Sequence, residues 1–252
     1  MKAILLMFLV LTNAFQVYSQ DLIRVKQTIK TLTSKKFHGR GAALKGDALA
    51  ADYITTQFKE IGLTPVQQSY AQPFTYSINT FPGKMLLKTN EGTLTAGADY
   101  IVSPTCGAGK GTFAVYWLDT LIFSDEEKLN SFLKRNLTFV VIVYQKKYHK
   151  EFTEQTPDLL SHMYSAAAII ELQDKKLTMG LAGETYGTPV FEVLTSAFPA
   201  KAKTVSFAVE NQLMQKHEAF NMIGSIEGSS KKDSFILISA HYDHLGTLGK
   251  KA

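Results

Sequence analysis

Hydrophobic and polar positions alternate in three different ways along the chain, and the changes divide it. Over residues 21–32, Leu22, Val25, Ile29 and Leu32 recur at helical spacing. A second, amphipathic helix is predicted over 44–61, with Leu49, Tyr53, Ile54, Phe58 and Ile61 on one side. Gly62 stands in the usual C-terminal position of that helix, and Pro65 follows shortly after. Between the two helices, Lys36-Phe37-His38-Gly39-Arg40-Gly41 reads as a turn with two glycines that leads into the second helix. From 67 to about 210 the texture changes to short β-prone runs separated by Gly, Pro and Asn turns: 84–88, 100–103, 112–118, 138–144, 167–171 and 204–209. The run 139–143 is apolar throughout and predicts a buried strand, while 157–164 predicts a short helix.

The last regime begins near 220. Residues 220–228 read as a strand reaching a tight turn, 229–233 as a polar loop, and 235–240 as another strand. That final run is apolar nearly throughout, the pattern expected when both faces of a sheet are covered. It ends directly on His241-Tyr242-Asp243-His244-Leu245-Gly246. In open α/β sheets ligands gather at the carboxyl ends of strands, so this segment is a candidate site.

Composition adds limits. The 252 residues are 45% hydrophobic and 19% charged, an ordinary globular balance with enough apolar mass for a real core. The net charge of +5 is carried partly by lysine pairs spread along the chain, such as Lys35 with Lys36 and Lys146 with Lys147. Such spreading fits a solvated surface and not a nucleic-acid stripe. At the N-terminus, Lys2 precedes an apolar run over 3–15 broken by Thr12 and Asn13, and Val17-Tyr18-Ser19 offers a cleavage site before Gln20. This is the pattern of a signal peptide, too short to span a membrane. The expectation is a mature protein beginning near Gln20, secreted or periplasmic, with no membrane attachment after signal removal. Cys106 is the single cysteine, so no intramolecular disulfide forms, and no neighbouring His or Asn in the sequence marks it as a nucleophile. The glycine-rich stretch around Gly107 and Gly109 lacks the first Gly and the Ser or Thr of a phosphate loop and reads as a turn.

The chemistry lies in His241 and Asp243. An imidazole two residues from a carboxylate can ligate a metal through one nitrogen while the other donates to the carboxylate, which fixes the tautomer. Taken alone, the His-x-Asp pair is equally compatible with two polar loop residues bonded locally.

The surroundings carry a resemblance. Asn221-Met222-Ile223-Gly224, a turn, an apolar run and Ala240-His241-Tyr242-Asp243-His244-Leu245-Gly246 together resemble peptidase family M-twenty-eight, the co-catalytic zinc aminopeptidases. Phe37-His38-Gly39-Arg40-Gly41, then Ala50-Ala51-Asp52-Tyr53-Ile54 and Gly62-Leu63-Thr64-Pro65, are similar to that family's N-terminal turn and helix. The resemblance implies an α/β zinc-peptidase fold, a mixed sheet flanked by helices, incomplete in these residues and interrupted by a β-rich insert like a protease-associated domain. It implies a signal peptide at 1–19, an N-terminal peptidase part at 20–80, the insert at 81–210 and the start of the metal-binding core at 211–252. His241 matches the first zinc ligand and Asp243 the catalytic-site carboxylate that orients it. His244 matches a pattern residue without a ligand role, and Gly39 and Arg40 match a structural turn. Two zinc ions and peptide substrates are implied, with hydrolysis of N-terminal residues by zinc-bound hydroxide.

The family's further Asp, Glu-Glu, Asp and His groups have no counterpart here, so the expectation is a truncated and inactive chain. The sequence does not separate aminopeptidase from carboxypeptidase or cyclase chemistry. Two other readings stand beside this one. Metallo-β-lactamase-like hydrolases place His-x-His-x-Asp-His after an apolar strand, but here Ser239 occupies the first His position. Alternatively the β-rich middle is the purpose of the chain, and the protein is a secreted, non-catalytic binding module.

Overall fold

The computed structural model of the chain describes residues 21–155, 157–231 and 233–249. The segment read as a signal peptide lies outside the described residues. The chain divides into two compact units, with the boundary between Lys35 and Lys36.

The first unit contains helix α1 (Leu22–Leu32). Asp21 caps it, its Oδ1 accepting from the backbone N–H of Ile23 at 3.0 Å and of Arg24 at 3.1 Å. Its apolar stripe forms as the spacing predicts, yet Leu22, Val25 and Ile29 are all exposed.

The second unit opens with two 3-10 turns and helix α2 (Gly46–Glu60), which ends at Gly62 in the left-handed region, φ 74°. Strands β1 (Thr64–Pro65), β2 (Ala71–Thr80), β3 (Met85–Thr89), β4 (Thr93–Leu94), β5 (Tyr100–Val102) and β6 (Gly109–Trp117) follow. Helix α3 (Glu126–Leu133), strand β7 (Val140–Gln145), helices α4 (His149–Gln155) and α5 (Pro157–Met163), and strands β8 (Ala168–Gln173), β9 (Val190–Leu194) and β10 (Thr204–Val209) come next. The described elements close with β11 (Gln212–Met222) and β12 (Gly224–Ser225).

Eight strands form one mixed sheet in the order β4-β3-β10-β6-β7-β8-β9-β5. Its inner four, β6 to β9, run parallel, and antiparallel strands extend it on both sides. Parallel neighbours need long crossovers, and α3 and the α4–α5 pair supply them. Because those helices cover one face while Phe81 and the loop residues Leu177, Met179 and Leu248 pack on the other, β7 is apolar on both sides. Val141 and Val143 join the cluster of Leu87, Tyr100, Ile170, Phe191 and Phe207. Ile142 and Tyr144 join Phe132, Phe152, Leu159 and Met163 on the helical face. Ile142 is fully buried; truncating such a side chain to Ala costs about 2–5 kcal/mol.

All eight strands of this sheet come from between Met85 and Val209. The flanking segments pair with each other instead: β2 with β11 as a long antiparallel ribbon, and β1 with β12. The strand expected over 235–240 is not formed. The segment has no regular structure, and Phe235, Ile236, Leu237 and Ile238 are 88, 93, 80 and 92% exposed. A strand needs partners for its N–H and C=O groups and cover for its faces, and among the described residues no strand lies beside this one.

Candidate functional site

His241 and Asp243 sit just past that exposed run, on a segment held by tertiary contacts and not by a sheet. The His241 side chain is 79% exposed and that of Asp243 59%. His241 Nδ1 lies 2.9 Å from the Asp243 carbonyl oxygen and 3.6 Å from its Oδ1. The ring thus contacts the Asp243 backbone carbonyl, and not the carboxylate to which the His-x-Asp spacing assigned it.

Residues 242–249 are anchored at several points. Tyr242 Oη donates to the Phe220 carbonyl in β11 at 2.7 Å. Burial, with the nearby charges of Asp47 and Asp243, pushes the Tyr242 phenol up to about 12, so it remains a donor at neutral pH. Arg40 Nε donates to the Tyr242 carbonyl at 2.8 Å. The backbone N–H groups of His244 and Gly246 donate to the carbonyls of Arg40 and Gly39, at 2.9 and 3.3 Å. Further on, Leu248 enters the main core cluster and the Gly249 N–H donates to the Phe81 carbonyl at 2.7 Å. His244 takes part through its backbone, and Gly39 and Arg40 do more than lead into α2: they hold the segment that carries His241.

Beside this segment lies a small cleft lined by Arg40, Asp47, Tyr76, Asn79, Asp243 and His244. Asp47, on the first turn of α2, is buried and meets His217 of β11, Nε2 to Oδ2, at 2.5 Å. The His217 ring packs edge-on against Tyr76, with centroids 5.4 Å apart. Burial first, then the Asp47 and Asp243 charges, raise the Tyr76 phenol above its ordinary range. No local pattern singles out Asp47, Tyr76 or His217, because 170 residues separate the pair.

A second polar cluster lies on the large sheet. Tyr144 of β7, Glu171 of β8 and Glu192 of β9 stand in register across three parallel strands. Tyr144 Oη donates to Glu171 at 2.5 Å, His149 Nδ1 lies 3.2 Å from the same carboxylate, and Lys146 Nζ bridges Glu171 at 3.3 Å and Glu192 at 2.5 Å. Its members satisfy one another, which makes it a cross-strand clasp. Cys106 is fully buried and burial pushes its thiol up to about 12, so it is no nucleophile at neutral pH.

One imidazole and one carboxylate do not make a zinc site, since a catalytic zinc needs about three protein ligands and a water. Among the described residues no group of three or more His, Cys, Asp or Glu side chains could hold a metal ion. His241 and Asp243 fit one ligand position with its orienting partner and no more.

No family model matches the chain, and no curated protein matches it in sequence. Solved structures do match. An aminopeptidase from Aneurinibacillus sp. strain AM-1 aligns over 83% of this chain and 48% of its own, at 16% identity and a TM-score of 0.48. A peptidase M-twenty-eight precursor from Shewanella amazonensis aligns over 88% and 57%, at 13% identity and 0.47. A zinc aminopeptidase from Bacillus subtilis aligns over 81% and 46%, at 13% identity and 0.50. The fold likeness rests on the last of these. In fold the chain is similar to the Bacillus subtilis zinc aminopeptidase, as a mixed α/β unit, and it spans about half the length of the solved structures it matches.

Proposed function

We propose that these residues are part of a secreted, zinc-dependent aminopeptidase in which His241 is a metal ligand and Asp243 orients it. The observation that carries this reading is the orientation of the ring. With Nδ1 turned onto Asp243, the other ring nitrogen is left for a metal, on a segment fixed at Tyr242, His244 and Gly246. The match in fold to a zinc aminopeptidase supports it. When bound, a pair of zinc ions supplies a Lewis acid and a hydroxide at neutral pH. The remaining ligands and the general base would have to come from residues other than those described, and without them the chain is inactive. Peptides with a free N-terminus are the substrates in this reading, and the sequence read as a signal peptide sends the protein out of the cytoplasm.

The test uses the protein together with whatever sequence adjoins these residues in its natural setting. Zinc content and release of an aminoacyl group from a chromogenic amide are measured for the wild type and for His241→Ala. Both should fall together in the variant. Unchanged zinc occupancy removes His241 as a ligand, and absence of both zinc and hydrolysis in the wild type favours the binding-module reading.

A further inference from the structure

The residues from Phe235 to Ala240 are all exposed and belong to no helix or strand. Among the described residues, none of their backbone N–H or C=O groups meets another backbone group. The side chains are equally open, with Phe235 88% and Leu237 80% exposed. Both ends of the span are held. Upstream, Ser225 of β12 pairs with Thr64 of β1. Downstream, Tyr242 Oη donates to the Phe220 carbonyl and the His244 N–H to the Arg40 carbonyl.

This combination meets what an endopeptidase requires of a folded substrate. Its cleft takes an extended chain, pairs with the main chain over several residues and seats a side chain beside the scissile bond in a pocket. Backbone already bonded within the fold has to open first, and that opening slows the cut. Other exposed aromatic residues differ on this point. Phe74 and Trp117 lie in paired strands, opposite Ala219 and Val143. Phe139 leads straight into β7, and the Val140 N–H already donates to the Leu137 carbonyl. The Tyr186 N–H donates to the Thr105 carbonyl at 3.0 Å.

We propose that this span is a proteolytic processing site, cut after Phe235 or Leu237 by an endopeptidase that reads a large apolar side chain ahead of the bond. Water adds across the peptide: the carboxylate stays on Phe235 or Leu237, and Ile236 or Ile238 takes the new amino group. All strands of the large sheet lie between Met85 and Val209, so the body of the protein stays folded after the cut. The cut divides the chain between β12 and the anchored residues that begin at Tyr242, and it requires no role of His241.

The experiment exposes the dilute whole chain to a trace of chymotrypsin in the cold and identifies the products by intact mass at successive times. The first cut beyond residue 20 should follow Phe235 or Leu237, roughly tenfold faster than any cut after Phe74, Trp117, Phe139 or Tyr186. A first cut elsewhere beyond residue 20 overturns the proposal. In the cut product, hydrogen exchange at Val141 and Ile142 of β7 should equal that in the intact chain, and lost protection there also overturns it.

Phe235→Ser combined with Leu237→Ser removes both apolar side chains from exposed positions and should slow chymotrypsin at this span by roughly tenfold. Undiminished cutting in that variant refutes the assignment of the two residues. Thermolysin, which reads the residue after the bond, should open the span ahead of Ile236 or Ile238 in both proteins. Resistance of the unaltered chain to both enzymes shows the span covered, and the proposal fails.

Discussion

Asp47 and His217 meet at 2.5 Å with side chains only 5 and 12% exposed, joining the first turn of α2 to β11 across 170 residues. The contact sits at the irregularity of β11, where the register against β2 shifts between Met214 and His217. It therefore ties the ribbon of the two flanking segments to the helix that carries the Gly39 to Gly41 turn.

Removing one partner takes from the other its side-chain hydrogen bond in largely buried surroundings; Asp47 then keeps only the Ala48 N–H on Oδ1. Asp47→Ala and His217→Ala should each lower stability by about 1–3 kcal/mol in urea unfolding. The double variant should cost less than the sum of the two, because the pair is lost only once. Strict additivity in that cycle would show that the two side chains do not interact.

The glycine contacts predict a graded effect. Gly41→Ala drives a methyl group into the Gly246 backbone, at 2.4 Å from Cα and 2.5 Å from N. The turn and the 242–246 segment should separate, and the His244 and Gly246 amides should exchange with solvent at least tenfold faster, a change of about 1.4 kcal/mol in local opening. Gly92→Ala, where an added Cβ meets nothing within 4 Å, serves as the neutral control.

The clasp on the large sheet predicts a pH dependence with two arms. Burial pushes the Glu171 carboxyl up, but hydrogen bonds from His149 and Tyr144 and the Lys146 charge outweigh it and hold the group below its ordinary 4.5. A carboxyl depressed in the fold contributes stability above its unfolded value and loses it as pH falls through the folded value. His149 runs the other way. Its hydrogen bond to Glu171 raises it above 6.5 against the effect of burial. Its contribution is full below 6.5 and fades as pH rises through the raised value. Glu171→Gln should therefore flatten the urea midpoint on both arms of a series from about pH 3 to about pH 9. Unflattened arms would mean that other groups control the profile.

Four consecutive large apolar side chains, Phe235 to Ile238, stand in solvent at 80–93% exposure. An unpaired apolar extended segment of this kind recruits other chains. The 252-residue protein should bind a hydrophobic dye and sediment as concentration-dependent oligomers, and Ile236→Asp with Ile238→Asp should reduce both signals. Monomeric, dye-negative behaviour of the unaltered chain would show that the run is covered in solution.

Much of this architecture was legible in the chain itself. The helices α1 and α2 follow from apolar spacing, with Gly62 ending α2 at positive φ. Strands β3, β5, β6, β7, β8 and β10 fall on the β-prone runs. They are local decisions, set by side-chain period and turn residues. Strands β1, β2, β4 and β9, most of β11, and helices α3 and α4 escaped. β2 contains Pro73 and polar residues and is a strand only because β11 pairs with it along its length. α3 is short and charged and depends on the Asp125 cap, whose Oδ1 accepts from the Lys128 N–H.

His241 and Asp243 were singled out by the motif Ala240–Gly246 around them, and their contact is local, two residues apart. What holds them was not. The grip of Arg40 on Tyr242 spans 202 residues, and the meeting of Asp47 with His217 spans 170. The failed strand at 235–240 shows the reverse limit. An apolar run states a demand for neighbours, but only tertiary structure supplies hydrogen-bond partners and covered faces, and here it gave them to the sheet between Met85 and Val209 instead.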